Sequence, residues 1–287
     1  MERLICVMKF GGAALQDIDH LKKSCDFIEQ KAKMGIQVVV VASAMGDTTN
    51  YLLSLANQVT SSPQKRELDM LLSAGERMSM ALLTMELQSR GILACSFTGS
   101  QAGIITNEDH TDAKIIAVKP FRIMECIEQK VIPVIAGFQG VSTKKEITTL
   151  GRGGSDTTAV AMAVALQAEV VEFYKDVPGV FSNDPKVDAQ ATLHAFLSYD
   201  EALEIIQRSK KKLLHERALI MAKKNGIPLF VQSFKKESLP QNLLGSWIKE
   251  KFDTHPTSFI YELEERVCSN FSQDMNQSLS TCNLKSS

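Results

Sequence analysis

The chain of 287 residues suits one large α/β domain or two small ones, and an apolar content of 44% supports a sizeable core. Its 32 basic and 33 acidic residues leave a formal charge of −1, which offers no basic footprint for nucleic acid. No apolar run nears the roughly 20 residues that span a bilayer, and the start, Met1 to Lys9, is too short for a signal-peptide core. Neither nucleic acid nor membrane is therefore expected as a partner. The cysteines at 6, 25, 95, 126, 268 and 282 form no C-x-x-C pair, which argues against structural zinc and for a reducing, cytoplasmic setting.

In chain order, Leu4 to Met8 reads as a strand and Asp17 to Met34 as an amphipathic helix, with Ile18, Leu21, Cys25 and Ile28 near helical spacing. Gln37 to Ala42 is β-branched and apolar, as a strand covered on both faces should be. Arg66 to Arg90 reads as a long helix whose many Met and Leu residues fill a core. Ile92 to Phe97, Val131 to Ala136 and Glu169 to Tyr174 are further buried strands. Asp156 to Gln167 is apolar on nearly all sides and should be an interior helix. Ile227 to Ser233 is a late strand, introduced by a helix stop at Asn225-Gly226. This alternation predicts an α/β fold: a mostly parallel central sheet with helices on both faces, a three-layer α/β/α sandwich. From Ser269 the chain is rich in Ser, Asn and Gln, and a disordered end is expected there.

Polar and glycine motifs follow the strands, where open α/β sheets bind ligands. Thr149 to Thr158 sets three glycines, Arg152, Asp156 and four hydroxyls directly before an apolar helix. Glycines admit close backbone approach, and a helix start offers free amides and a positive dipole end, so an anion suits this stretch. Lys9-Phe10-Gly11-Gly12 ends the first strand with a charge and two flexible residues, which can cradle a polyphosphate or simply form a solvated turn. It is not a Walker A loop, and no G-x-G-x-x-G follows the first strand. Ser43 to Asn50 supplies hydroxyls that could hold a ligand or cap a helix. In Ser73-Ala74-Gly75-Glu76-Arg77, a glycine and two charges interrupt an apolar helix. A buried Glu76 would need Arg77 or a ligand amine as partner. Phe97 to Thr106 reads as a polar loop.

These segments resemble the amino acid kinase family, and within it the catalytic domain of the aspartokinases. Also matching are Gly137-Phe138, Asp176 to Val180 with Asp184-Pro185, Ser198 to Glu201, and Leu214-His215. The resemblance spans roughly Leu4 to Ile248. It implies the amino acid kinase fold and transfer of the ATP γ-phosphate to the side-chain carboxylate of L-aspartate. The product would be 4-phospho-L-aspartate, a first step toward lysine, threonine and methionine biosynthesis.

By that similarity, residues 1–248 form the catalytic domain, the amino acid binding in its first part and the nucleotide from about residue 150. Lys9, Gly11, Gly12, Asp156 and Lys212 would be catalytic, with Asp156 orienting lysines. Thr49, Glu76, Phe138, Arg152 and Ser155 would bind the amino acid, Glu76 taking its α-amino group and Arg152 a carboxylate through its planar fork. Lys9, Gly12, Lys175, Asp176, Phe181, Lys186 and Lys212 would bind ATP. Magnesium would arrive on ATP, without a metal cage of the protein's own.

Departures from the pattern are Ala13-Ala14 in place of Thr-Ser, Lys175 in place of Thr, Phe181 where Tyr is frequent, Ser209 to Lys211, and Glu216 in place of proline. The first would remove two hydroxyls near the reacting groups, and the rest cluster on the nucleotide side. Two alternatives stay open: a kinase for another small amino acid or carboxylate, and a catalytically weak regulatory or binding subunit. The 249–287 tail is shorter than the about 70 residues of an ACT regulatory domain. No complete ACT domain and no lysine or threonine feedback through one are therefore expected, and pairing of copies would fall to the catalytic domain.

Overall fold

The computed structural model describes residues 4–183, 187–188, 190–209, 212–235, 245–250 and 259–262. In chain order its elements are β1 (Ile5–Phe10), α1 (Ile18–Lys33), β2 (Gln37–Ala42), α2 (Thr48–Val59), α3 (Lys65–Ser89), β3 (Ala94–Phe97), β4 (Ile104–Thr106), β5 (Ile115–Val118), α4 (Phe121–Glu128), β6 (Ile132–Ala136), β7 (Gln139–Ser142), β8 (Ile147–Thr149), α5 (Gly154–Leu166), β9 (Val170–Lys175), β10 (Phe196–Leu197), α6 (Tyr199–Arg208), α7 (Glu216–Asn225), β11 (Leu229–Ser233) and β12 (Ser246–Ile248).

Eight strands form the central sheet in the order β10-β12-β11-β9-β1-β2-β6-β3. Its pairings are parallel except that β12 runs antiparallel to β11. Because successive strand residues face opposite sides, β1 splits its side chains between two cores. Ile5 and Val7 join Val39 and Val41 under α4, α5, α6 and α7. Cys6, Met8 and Phe10 join Val38 and Val40 under α1 and α3. The three expected layers follow directly from that alternation. Each fully buried valine of β2 contributes about 1.5–3 kcal/mol of transfer free energy.

Several elements run past their expected ends. β1 continues two residues beyond Met8 and so carries Lys9 within the sheet. α5 begins at Gly154, and eleven of its thirteen residues are buried, as its all-round apolar sequence requires. Gly226 stops α7 in the left-handed conformation. α3 runs unbroken through Gly75, so that glycine does not interrupt it.

The short second sheet, β5-β4-β7-β8, was not anticipated; part of it, β4, lies in the stretch read as a polar loop. Past Ile248, the 259–262 segment packs on the same unit. Tyr261 is buried in the core, Glu262 N–H donates to Ile115 O, and Ile260 exchanges hydrogen bonds with the Asn225 side chain. The expected disordered end and the question of a complete ACT domain lie outside the described residues. Among the described residues, no helix is long and apolar enough to cross a membrane.

Candidate active site

β1 leads into α1 on one face of the sheet and β9 toward α6 on the other, and in open α/β sheets the carboxyl ends of two such adjacent strands are where ligands bind. Lys9 is the register partner of Phe173, so Lys175, two residues on, faces the same side as Lys9. Beside them Phe10 stacks on Tyr174 with ring centroids 4.5 Å apart, fixing the two strand ends.

Asp156 stands in the first turn of α5, where the helix dipole favours a negative charge. One of its oxygens meets Lys9 Nζ at 2.5 Å and the other meets Lys175 Nζ at 3.3 Å. All three side chains are at most 15% exposed. Burial alone would raise the Asp156 carboxyl, but Lys175 and Lys9 outweigh it and hold it well below the usual carboxylate range. Burial, aided by the neighbouring Lys9 and opposed by Asp156, brings the Lys175 ammonium down to about 8. Two ammonium groups share one carboxylate, so the pocket floor keeps a positive charge while Lys175 is protonated.

Glu76 on α3 is 4% exposed. Its Oε1 accepts the Ala44 N–H at 3.2 Å, while Oε2 is buried with no hydrogen-bond partner among the described residues. Burial pushes its carboxyl up to about 7, against the Ala44 amide and the Lys9 charge. The expected neighbour Arg77 is not its partner, because Arg77 donates to the Gln139 side chain at 3.2 Å. A buried carboxylate oxygen without a partner is a place for an ammonium group.

The stretch before α5 forms the facing wall. Gly151 and Gly153 are both left-handed, with φ of 71° and 73°, and set Arg152 exposed between them. A side chain at Gly153 would enter the His215 ring. Arg152 makes no ion pair among the described residues. Ser155 shares a hydrogen bond of 2.8 Å with Ser43 after β2. Phe138, itself left-handed at φ 67°, lies against Gly154 and donates its N–H to Thr158 Oγ1 at 3.1 Å. Thr49 is half-buried in the first turn of α2.

Gly11 and Gly12 open a short 3-10 turn after β1. A Cβ on Gly12 would lie 3.0 Å from Gly46 O and 3.2 Å from Ala44 O, so the missing side chain lets this turn pack closely against the loop after β2. Of the two alanines that follow, Ala14 is buried in the core. Ala13, by contrast, is exposed.

The nucleotide-side residues are less gathered. Asp176 is exposed, and Phe181 forms a β-bridge with Leu193. Lys212 gives its ammonium to Glu216 at 2.6 Å and is not brought to Asp156. Lys186 lies outside the described residues. Among the described residues, no cluster of three or more His, Cys, Asp or Glu is placed to hold a metal ion. Ser43, which meets Ser155, belongs to the hydroxyl stretch Ser43 to Asn50, whereas His215, which closes the back of Gly153, had no role assigned from the sequence. His215 did stand in a motif, Leu214-His215, and its titration is lowered by burial and by Arg217.

The sequence pattern of the amino acid kinase family matches residues 4–233. The chain is 46% identical over 247 residues to the aspartokinase of Geobacillus stearothermophilus, covering 86% of this chain and 59% of that one. It is 49% identical over 230 residues to the aspartokinase of Mycobacterium tuberculosis, covering 80% of this chain and 54% of that one. It thus spans little more than half the length of these relatives. The aspartate kinase from Synechocystis superposes with a TM-score of 0.77 at 37% identity, covering 90% of this chain and 42% of that one. Aspartokinase III of E. coli, in complex with aspartate and ADP, superposes with a TM-score of 0.76 at 27% identity, covering 88% and 66%. By sequence pattern and by fold, the chain belongs to the amino acid kinase family.

Proposed function

We propose that this chain is an aspartate kinase that moves the ATP γ-phosphoryl group to the side-chain carboxylate of L-aspartate. The observation that carries this reading is a positive floor, Lys9 and Lys175 on Asp156, beside the unpartnered Glu76 oxygen. An acyl-phosphate kinase for an amino acid needs that combination: cations for the transferring phosphoryl group and a carboxylate for the α-ammonium. The nucleophile is already ionised, so no general base is required. Catalysis then rests on positioning and charge neutralisation.

In this reading Lys9 and Lys175 neutralise the charge developing on the phosphoryl oxygens, and Asp156 keeps both ammonium groups in place. The turn at Gly11 and Gly12 lets the phosphates approach the backbone. Arg152 takes the α-carboxylate in a bidentate fork, Glu76 the α-ammonium. Ser155, Phe138 and Thr49 shape the rest of the amino-acid pocket. The net positive floor and the open glycine turn fit a triphosphate. When bound, magnesium would screen the phosphate charge and be held chiefly by phosphate oxygens and water. Lys212, engaged with Glu216, is assigned to the nucleotide rim and Lys175 to the reacting phosphoryl. The direct test is ADP release with a panel of acceptors: L-aspartate should be preferred over L-glutamate and N-acetyl-L-glutamate, and preference for another acceptor contradicts the substrate assignment.

The same geometry sets a pH profile. Glu76 must be ionised to hold an ammonium, so kcat/KM for aspartate should fall as pH drops through about 7. Lys175 must be protonated, so kcat/KM should fall again as pH rises through about 8. The result is a narrow bell. Lys175→Arg, which stays charged, should move the alkaline limb upward; an unmoved limb removes Lys175 from the reacting centre.

A further inference from the structure

Asp69 is fully buried in α3 and, among the described residues, pairs with no lysine or arginine. Its two oxygens accept four hydrogen bonds: His110 Nδ1 at 2.6 Å, the Thr111 N–H at 3.1 and 3.2 Å, and Thr149 Oγ1 at 2.5 Å. A carboxylate only accepts, so His110 carries its proton on Nδ1. Burying a carboxylate without a permanent cation is costly, and an apolar side chain would fill the same space more cheaply. The partners explain what the charge holds together.

Thr149 is the last residue of β8 and the entry to Gly151, Arg152 and Gly153. Thr111 is β-branched yet left-handed, at φ 71°, a strained conformation that its N–H bond to Asp69 holds. The carbonyl of Thr111 in turn lies where any side chain on Gly151 would need to be, 3.0 Å from that Cβ position, and Ala113 N–H bonds Thr149 O at 2.9 Å. The 107–113 loop is thereby zipped to the Arg152 loop, and both are tied to Asp69.

Asp69 also shares a helix face with Glu76. Seven residues are two turns of α3, so the two carboxylates lie on one side. Between them Ser73 O accepts from Gln139 Nε2 at 2.9 Å, joining the same face of α3 to β7.

We propose that Asp69 is a positioning residue that fixes the Arg152 loop relative to Glu76, setting the span between the two groups that grip an amino-acid ligand. This rests on the reading of Arg152 and Glu76 as that grip. It makes the span between ammonium and carboxylate a property of α3 and β8, not of the nucleotide side.

The test uses the full chain with Asp69→Asn, and with Thr149→Val, which keeps shape and removes one bond should the first variant fail to fold. Amide hydrogen exchange in residues 149–153 should rise about tenfold, the scale of one lost charge-assisted hydrogen bond, with the central strands unchanged. KM for L-aspartate should rise by a similar factor, about tenfold, with kcat and KM for ATP near their original values. Unchanged exchange at 149–153, exchange raised evenly along the chain, or equal rises in both KM values would overturn the proposal. If the unaltered protein does not turn over aspartate, the substrate reading fails by itself, and the loop exchange still decides the role of Asp69.

Discussion

Replacing Lys9 by alanine is expected to lower turnover about 10²–10³-fold, the cost of removing one preorganised charge from a developing anion. The side chain is 5% exposed, and its contact is the 2.5 Å pair with Asp156. Removing it leaves Asp156 paired with Lys175 alone, so the pocket floor falls from one net positive charge to none. The fold should survive, because β1 keeps its backbone pairing to β2 and β9 and Asp156 keeps a counter-ion. The loss should appear mainly in kcat, since the charge it neutralises grows in the transition state. Steady-state kinetics beside circular dichroism checks this. Turnover within fivefold of the unaltered enzyme, at intact fold, would end the phosphate role of Lys9.

Arg152→Ala should behave in the opposite manner. Arg152 is exposed between two left-handed glycines and pairs with no described residue, so its removal should change stability by about 0.5 kcal/mol or less. If it grips the aspartate α-carboxylate, its loss should cost about 2–3 kcal/mol of binding, a rise of roughly 30- to 150-fold in KM. Arg152→Lys should recover only part of this, because a point charge cannot reproduce the planar fork. An unchanged KM for aspartate would remove Arg152 from the substrate site. The pairing of a kcat effect at Lys9 with a KM effect at Arg152 separates phosphoryl transfer from amino-acid capture.

Much of this fold is written in local pattern. The β-branched run Gln37–Ala42 and the all-round apolar α5 can be read from one stretch of chain, because burial on both faces leaves an unbroken apolar signal. The second sheet could not be read so, since β4 and β8 have three residues each and give periodicity too little length. In the site, Lys9, Glu76, Arg152 and Asp156 stood out through their glycine and hydroxyl neighbours. Their pairing did not. The resemblance made Asp156 an orienter of lysines, but that these are Lys9 and Lys175, or that Arg77 turns to Gln139 instead of Glu76, depends on segments that meet only in the folded chain. Asp69 was invisible for the same reason: its hydroxyl partner Thr149 is 80 residues away. A lone aspartate in the first turns of a helix carries no local mark of what it will hold.

An aspartate kinase must make an acyl phosphate on aspartate. The most direct measurement is hydroxylamine trapping with the purified chain, MgATP and L-aspartate. Aspartyl hydroxamate that requires both substrates and disappears in Lys9→Ala is the expected result. No hydroxamate, from a folded chain that still binds ATP and aspartate by calorimetry, would contradict it and favour a binding or regulatory role for the same pocket.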